Sequence, residues 1–196
     1  MLKIIVATNN AHKVQELHAM LEGKVELLSL KDAGIFVDPV ENGTTYKENA
    51  FIKANEVAKF TDLPVMSDDS GIEIDELGKN FPGIYSHRYA VENGGQGNLN
   101  KILVKKCPHS KARFSCSIVL LNLNFKGERL DFEGKMEGKI NDKIEGENGF
   151  GYDPIFVPEG YSHSVATLPP EEKNKISHRY NATKKLIEYL KEHNKI

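Results

Sequence analysis

Three short polar clusters hold the residues of this sequence that could do chemistry. The first runs from Thr8 to Lys13, the second from Ser67 to Gly71, and the third begins at Phe150. The first offers backbone amides and a lysine, the second offers carboxylates for a metal ion, and the third offers aromatic faces with cations further on. Together they form the inventory needed to hold a nucleoside triphosphate on Mg²⁺ and cleave it.

The first cluster lies between a predicted strand and a predicted helix. The apolar run over residues 3–7 is typical of a buried strand, and apolar residues recur at helical spacing over 14–21. The start of a helix exposes unpaired backbone amides, which attract anions together with the helix dipole. The glycines of a Walker loop are absent, so phosphate binding competes with an ordinary N-cap by Asn9 or Asn10.

The carboxylates of Asp68 and Asp69 are the stronger candidates. Adjacent carboxylates repel each other unless a positive group lies beside them, and Mg²⁺ takes one or two carboxylates plus phosphate oxygens and waters. Glu41, in another acidic turn, is a further candidate ligand for the same ion. Lys53 lies on an amphipathic helix predicted to start with a capping box at Thr45, and it could point at phosphates. The alternatives are solvated turns and a solvated lysine.

The third cluster, Phe150-Gly151-Tyr152-Asp153, lies in a glycine-rich loop. Glycine allows a backbone to approach a flat ligand, and an aromatic ring offers a base a stacking face. Asp153 precedes a proline, which holds it extended, and it could accept a hydrogen bond from a base or a ribose. The alternative is that the two aromatic rings face the core.

Three cationic side chains follow on predicted helical backbone: Lys173, His178 and Arg179. The fixed donors of Arg179 suit a carbonyl or phosphate oxygen. A second Ser-His-Arg triplet, over residues 86–88, is predicted to be a surface loop.

Length and composition are those of a globular protein. The chain has 196 residues, of which 39% are hydrophobic and 28% charged, so we expect a single domain, residues 1–196, with two lobes. A net charge of −2 does not favour nucleic-acid binding. We expect no signal peptide and no membrane span, and a cytoplasmic protein whose two cysteines are buried and reduced.

Helices alternate with strands early in the chain, and a hairpin dominates the middle, which predicts an α/β fold with a mixed sheet. Strands are expected over 3–7, 25–30, 63–66, 72–75 and 155–157, with a hairpin formed by 112–125 and 129–136. The acidic cluster thus falls between two short predicted strands. Helices are expected after Lys13, from Thr45, over 99–106 and near the C-terminus.

Six ordered sequence blocks support a family resemblance over nearly the full length of the chain: Thr8-Asn9-Asn10 with Lys13 and Glu16, Glu48-Asn49-Ala50 with Lys53, Ser67 to Gly71, Pro82 to Ser86, Phe150 to Pro154, and Glu172-Lys173 with Ser177-His178-Arg179. In these blocks the sequence resembles the inosine triphosphate pyrophosphatase family. It departs from the usual family pattern at Asn9 and His12.

The resemblance implies a Mg²⁺-dependent hydrolase that converts ITP, dITP and XTP to monophosphates and pyrophosphate. It also implies a homodimer and an elongated mixed sheet flanked by helices, with two lobes and a central nucleotide-binding cleft. It makes Asp69 the proton acceptor and a metal ligand, with Asp68 and Glu41 as acidic companions, and Asp38 is the alternative to Glu41. The implied substrate contacts are Thr8, Asn9, Asn10, Ala11, His12, Lys13 and Lys53 for the triphosphate, Ser70, and Phe150, Gly151, Tyr152, Asp153, Lys173, His178 and Arg179 for the base and nucleotide.

Other functions stay open at this point. A pyrophosphatase acting on modified pyrimidine nucleotides would have similar phosphate-binding residues and different base contacts. A nucleotide sensor without chemistry would bind without releasing pyrophosphate, and the paired aspartates argue against it. A nucleic-acid-binding module is disfavoured by the net charge.

Overall fold

The computed structural model describes all residues from Met1 to Ile196 and contains one six-stranded sheet. The strands lie in the order β2-β1-β3-β4-β5-β6 across the sheet. Strand β1 is parallel to β2 and to β3, and β5 is antiparallel to β6, so the predicted mixed sheet is confirmed. The strand bounds are β1 Lys3–Val6, β2 Glu26–Ser29, β3 Val65–Ile74, β4 Lys111–Leu121, β5 Arg129–Ile140 and β6 Phe156–Pro158.

Helices flank the sheet, and the predicted helices after Lys13, from Thr45 and over 99–106 are all present. The helix bounds are α1 Ala11–Leu21, α2 Tyr46–Val57, α3 Ser86–Glu92, α4 Gln96–Lys106, α5 Pro170–Ile176 and α6 His178–Glu192. None of them is long and apolar enough to cross a membrane.

The chain forms two compact units, whose boundaries fall within β3, β4 and β5 and after the first residue of α6. The first comprises Met1–Asp69, Cys116–Gly134 and Arg179–Ile196, and the second comprises Ser70–Ser115 and Lys135–His178. In the first unit, α1 and α6 pack against one face of the sheet, which presents Ile4 and Met66. Helix α2 packs against the other face, which presents Ile5 and Val65. Neighbouring residues of one strand therefore meet different helices.

The start of α2 is fixed by its capping residues. Thr45 Oγ1 accepts a hydrogen bond from the Glu48 N–H at 3.1 Å, as the predicted capping box requires. The Glu48 carboxylate turns back onto Thr44 and accepts from its N–H at 2.6 Å and its hydroxyl at 2.8 Å. The side chains of Thr45 and Glu48 thus orient the chain that enters α2. Substituting such a capping residue by alanine typically costs about 1 kcal/mol of stability.

The second unit has its own apolar core, formed by the end of β3, α4, the loop after β5 and β6. Ile72, Leu99, Leu103 and Phe156 are completely buried in it. A Cβ atom at Gly138 of β5 would lie 2.3 Å from the Val157 carbonyl oxygen, so only glycine allows this close approach to β6. All residues of this core belong to the second unit itself.

The prediction of two separate short strands around the acidic cluster is wrong. Strand β3 runs without interruption for 10 residues, from Val65 to Ile74, and the acidic cluster lies in its middle. Asp and Gly are poor strand formers, but here both aspartates are buried beside cations and Gly71 serves close packing. A Cβ atom at Gly71 would lie 2.1 Å from the Gly83 carbonyl oxygen.

The predicted surface loop at residues 86–88 is also wrong, because Ser86 begins α3. The Ser86 hydroxyl is buried, accepts from the Ile72 N–H at 2.9 Å and donates to the Gly83 carbonyl at 2.6 Å. His87 and Arg88 are exposed. Ser86 thus ties the turn before α3 to β3.

The predicted hairpin strands are sheet neighbours. β4 and β5 are adjacent in the sheet and joined by residues 122–128. In this turn the Asn122 N–H donates to the Glu128 carbonyl at 3.1 Å. The predicted bounds are partly wrong, since β4 ends at Leu121 and not at residue 125, whereas β5 extends beyond residue 136 to Ile140.

Candidate active site

Asp68 and Asp69 are neighbours in β3 and point to opposite faces of the first unit's sheet. Side chains alternate along a strand, so Asp68 shares a face with Met66, and Asp69 shares a face with Val65. Met66 packs with α1 and α6, and Val65 packs with α2. Both carboxylates are buried, with Asp68 0% and Asp69 6% exposed. The adjacent acids therefore have different partners.

Asp68 lies in a closed cluster of ion pairs. Its Oδ2 atom is 3.2 Å from Lys13 Nζ and accepts from Arg179 Nε at 3.2 Å and Nη2 at 3.1 Å. Arg179 is 1% exposed, and its Nη1 donates to Glu16 at 2.5 Å. Burial opposes ionisation of Asp68, but the charges of Lys13 and Arg179 outweigh it and hold the Asp68 pKa far below its usual range.

A thiol adds a further contact to this cluster. Cys116 on β4 is buried, and its Sγ lies 3.9 Å from Asp68 Oδ2, with the thiol as donor. Burial, followed by the charge of Asp68, raises the pKa of Cys116 to about 12, so the thiol stays protonated. The prediction that both cysteines are buried thiols is confirmed, since Cys107 is also buried and unbridged.

Asp69 has a different arrangement around it. Lys53 Nζ lies 3.6 Å from Asp69 Oδ1, 3.3 Å from Glu41 Oε1, and donates to the Asp68 backbone carbonyl at 2.7 Å. Burial raises the pKa of Asp69, and the positive charge of Lys53 opposes that shift only in part. Burial also opposes the charge of Lys53, but the surrounding carboxylates prevail and raise its pKa. Lys53 thus lies charged between two carboxylates.

The residues around Asp69 fit a divalent cation that is shared with a phosphate ligand. No group of three or more Asp, Glu, His or Cys side chains is arranged to hold a metal ion. Two carboxylates are enough for Mg²⁺ when phosphate oxygens and waters complete its shell. Asp69 Oδ2 is buried and accepts no hydrogen bond, and the same holds for Asp68 Oδ1. A buried carboxylate oxygen without a donor is costly, and a cation compensates it.

The Thr8–Lys13 segment forms the N-terminus of α1, and of the two predicted N-cap candidates, Asn9 and Asn10, the cap is Asn10. Its Oδ1 accepts from the His12 N–H at 3.0 Å and the Lys13 N–H at 3.3 Å. Thr8 Oγ1 accepts from the Asn10 N–H at 3.2 Å, and Asn9 Nδ2 donates to the Val37 carbonyl at 3.3 Å. Two of the helix-start amides therefore have an internal acceptor, and phosphate binding by this segment stays a prediction.

In the second unit, Asp153 and Lys173 form a buried ion pair. The Lys173 Nζ–Asp153 Oδ2 distance is 2.7 Å, and Oδ2 also accepts from the Phe150 N–H at 2.9 Å. Lys173 Nζ lies 4.7 Å from the centroid of the Phe150 ring, a cation–π geometry. A Cβ atom at Gly149 would lie 2.1 Å from Asp153 Oδ2. Gly149, which has no side chain, leaves room for Asp153, and Asp153 in turn binds Phe150 and Lys173.

Tyr152 and His178 lie in the core of the second unit. Tyr152 is 5% exposed, and its hydroxyl donates to the Ser86 carbonyl at 2.5 Å. The His178 ring is also 5% exposed and stacks on Phe114 with centroids 4.8 Å apart. The alternative that a ring of this loop faces the core is thus correct for Tyr152. Contacts of Ser70, Gly151, Tyr152 and His178 with a substrate stay predictions.

Comparison of the sequence with known protein families finds a match: a model of the Ham1 family matches residues 4–189. The chain belongs to the Ham1 family. A dITP/XTP pyrophosphatase from Clostridium perfringens is 44% identical and covers 97% of this chain and 98% of its own length. One from Porphyromonas gingivalis is 42% identical, with the same coverage. A HAM1 protein structure from Coxiella burnetii has a TM-score of 0.85 at 35% identity and covers 98% of this chain and 100% of that chain.

The two departures from the usual pattern do not strain the backbone of this Ham1 protein. Neither Asn9 nor His12 is among the residues with positive φ, so neither position needs glycine for its conformation. His12 lies within α1, and Asn9 precedes the cap. The family's loop can therefore form here with side chains at both places.

Two residues of the Asp68 cluster had no assigned role in the sequence analysis, namely Glu16 and Cys116. Glu16 lies three residues after Lys13 on α1, a spacing that puts both side chains on one face, so its proximity to the cluster was predictable. Cys116 reaches Asp68 from a neighbouring strand, and no local pattern indicates such a contact.

Proposed function

We propose that this chain hydrolyses dITP, XTP and ITP to the corresponding monophosphate and pyrophosphate, and so removes non-canonical purine nucleotides. The observation that carries the proposal is the similarity over nearly the whole chain to enzymes named dITP/XTP pyrophosphatase. The first unit supports it independently, because a charged lysine between two carboxylates suits the handling of a metal-bound triphosphate.

The reaction in this proposal depends on a divalent cation, with Mg²⁺ as the chosen ion. When bound, the ion neutralises phosphate charge and aligns the triphosphate for in-line attack. Glu41 and Asp69 would hold it, since both approach Lys53 on the α2 face of the sheet. Asp68 points to the other face, so its part as a ligand would rest on Oδ1 alone.

Asp69 acts in this proposal as the general base. Its carboxylate takes a proton from a water molecule, the water oxygen bonds to the α-phosphorus, and the bond from that phosphorus to the bridging oxygen breaks, so that pyrophosphate leaves. Burial raises the pKa of Asp69, which makes its carboxylate a better proton acceptor than an exposed one. Lys53 and Lys13 supply positive charge to the phosphates and the departing pyrophosphate.

Base recognition is assigned to the second unit's loop and the residues after α5. Phe150 is the candidate stacking surface, because Lys173 and the Asp153 contact with its own N–H fix its position. Arg179 is proposed to favour a 6-oxygen over an amino group, although its guanidinium also binds Asp68 and Glu16. The enzyme is further proposed to work as a cytoplasmic homodimer.

The test is pyrophosphate release from a panel of nucleoside triphosphates with and without Mg²⁺. We expect release from ITP, dITP and XTP, much less from ATP and GTP, and none after chelation of the metal. Faster release from dUTP or methylated UTP would favour the pyrimidine alternative. Inert ITP, dITP and XTP would refute the proposal, and stable binding without release would indicate a nucleotide sensor.

A further inference from the structure

The turn that carries Glu41 is fastened to the start of α2 by a buried side chain, Asn49. Its Oδ1 accepts from the Gly43 N–H at 2.8 Å, and Asn49 is 1% exposed. Gly43 lies two residues after Glu41, and Lys53, which pairs with Glu41 at 3.3 Å, lies one helical turn after Asn49. Two residues on one face of α2, one helical turn apart, therefore contact the turn: Asn49 at Gly43 and Lys53 at Glu41.

Packing at Gly43 shows how closely the turn lies on the helix. A Cβ atom there would be 2.7 Å from Asn49 Oδ1, 2.7 Å from Glu48 Cβ and 3.1 Å from the Asn49 backbone nitrogen. Gly43 is not among the glycines with positive φ, so an alanine would meet only this steric conflict. Glycine is therefore required at position 43 by the short distance to α2 and not by the backbone conformation.

The amide of Asn49 has one possible orientation. The Gly43 N–H is a donor and needs the carbonyl oxygen, so Nδ2 points the other way, where it is buried and has no acceptor. Leaving a buried donor unmade costs about 1–3 kcal/mol. The hydrogen bond that the Asn49 side chain does make is therefore the one to the Gly43 N–H.

We propose that Asn49 is a positioning residue: through the Gly43 N–H it sets the place of the Glu41 carboxylate opposite Asp69, and hence the affinity for the divalent ion. This inference rests on the proposed function for the role of the ion. It concerns only the chain's own residues, and hydrogen-bonding partners behind metal ligands typically change metal affinity by about 10- to 100-fold.

The experiment measures Mn²⁺ binding to the substrate-free protein by electron paramagnetic resonance, together with the Mg²⁺ dependence of pyrophosphate release from ITP. We expect Asn49→Ala to weaken Mn²⁺ binding and to raise the Mg²⁺ concentration for half-maximal rate, both by about 10-fold or more. Gly43→Ala should do the same from the other side of the contact. In a Glu41→Gln background, Asn49→Ala should weaken Mn²⁺ binding hardly any further, because both changes act through the Glu41 carboxylate.

Asn141→Ala is the matched control. Asn141 is a buried asparagine of the second unit that donates to Glu145 at 3.3 Å, so its loss should lower stability without changing the metal requirement. Unchanged Mn²⁺ affinity in both Asn49→Ala and Gly43→Ala, with the wild-type protein binding Mn²⁺ and releasing pyrophosphate, would overturn the inference alone. A wild-type protein that releases no pyrophosphate from ITP would overturn the proposed function instead.

Discussion

On the two faces of β3 in the first unit, two neighbouring aspartates have pKa values shifted in opposite directions. Asp68 meets a lysine and an arginine on the side of α1 and α6, and its pKa is driven down. Asp69 meets one lysine, shared with Glu41, on the side of α2, and burial drives its pKa up. A one-residue step along the strand changes the face and therefore the partners.

Under the proposed function, this difference suits Asp69 to accept a proton, whereas Asp68 holds Lys13 and Arg179. A buried carboxylate with two cations loses little by being charged and has no tendency to take a proton. A buried carboxylate that shares a single cation with a second carboxylate is less fully neutralised. It therefore accepts a proton or a metal ion more readily. Pairs of acids whose environments push their pKa values apart commonly have different roles in one site.

The largest effect on activity should come from Asp69→Asn. The amide cannot accept the proton from water, and general-base catalysis contributes about 10²- to 10⁴-fold, so pyrophosphate release from ITP should fall by at least that factor. The free energy of unfolding should change little, because the buried charge was itself unfavourable. Kinetic assays and urea denaturation measure the two quantities. Near wild-type turnover in this variant would remove Asp69 from the role of base.

Asp68→Asn should show the reverse pattern. Removing the carboxylate leaves Lys13 and the buried Arg179 without their shared partner, and breaking a buried ion pair costs about 3–5 kcal/mol. We expect a lower urea midpoint and a smaller effect on turnover than in Asp69→Asn, measured on the fraction that stays folded. If Asp68→Asn were as stable as wild type while losing all activity, the assignment of the two faces would be reversed.

The pH dependence of stability offers a third comparison, on metal-free protein. The Asp68 pKa is lower in the folded state than its ordinary value of 3.8, so its stabilisation is complete above that value and is lost as the pH falls below it. The difference in unfolding free energy between wild type and Asp68→Asn should therefore shrink on acidification. For Asp69, whose pKa is raised, wild type should instead lose stability relative to Asp69→Asn as the pH rises past its ordinary value. Urea midpoints between about pH 7 and about pH 3 test both signs.

The local parts of this fold were predictable from sequence, because their causes lie within a few residues. The capping box at Thr45 and the cap at Asn10 follow from side chains that reach the next backbone amides. The uninterrupted course of β3 was not predictable, since the low strand propensity of Asp68 and Gly71 favours a break. The buried cations beside Asp68 and the close packing of Gly71 against Gly83 override that preference.

The clusters themselves were partly predictable. The residue types made Glu41 and Asp69 candidate ligands of one ion and Lys53 a candidate phosphate contact, and in the structure Lys53 lies within ion-pair distance of both acids. The pairing of Arg179 with Asp68 joins residues 111 positions apart, and no local rule orients a guanidinium over that separation. Residue types thus indicated the chemistry, while long-range packing decided which acid each cation would meet.

The smallest effect should come from Cys116→Ala, which probes the edge of the Asp68 cluster. The thiol is a weak donor at 3.9 Å, and Asp68 keeps Lys13 and Arg179 in its absence. We expect a loss of about 1 kcal/mol in unfolding free energy from the small cavity, and unchanged turnover and metal requirement. The wild-type thiol should also resist alkylation in the native protein, because burial and Asp68 raise its pKa to about 12. A large loss of turnover in Cys116→Ala would mean that the thiol itself, and not only the charged groups of the Asp68 cluster, is needed for the reaction.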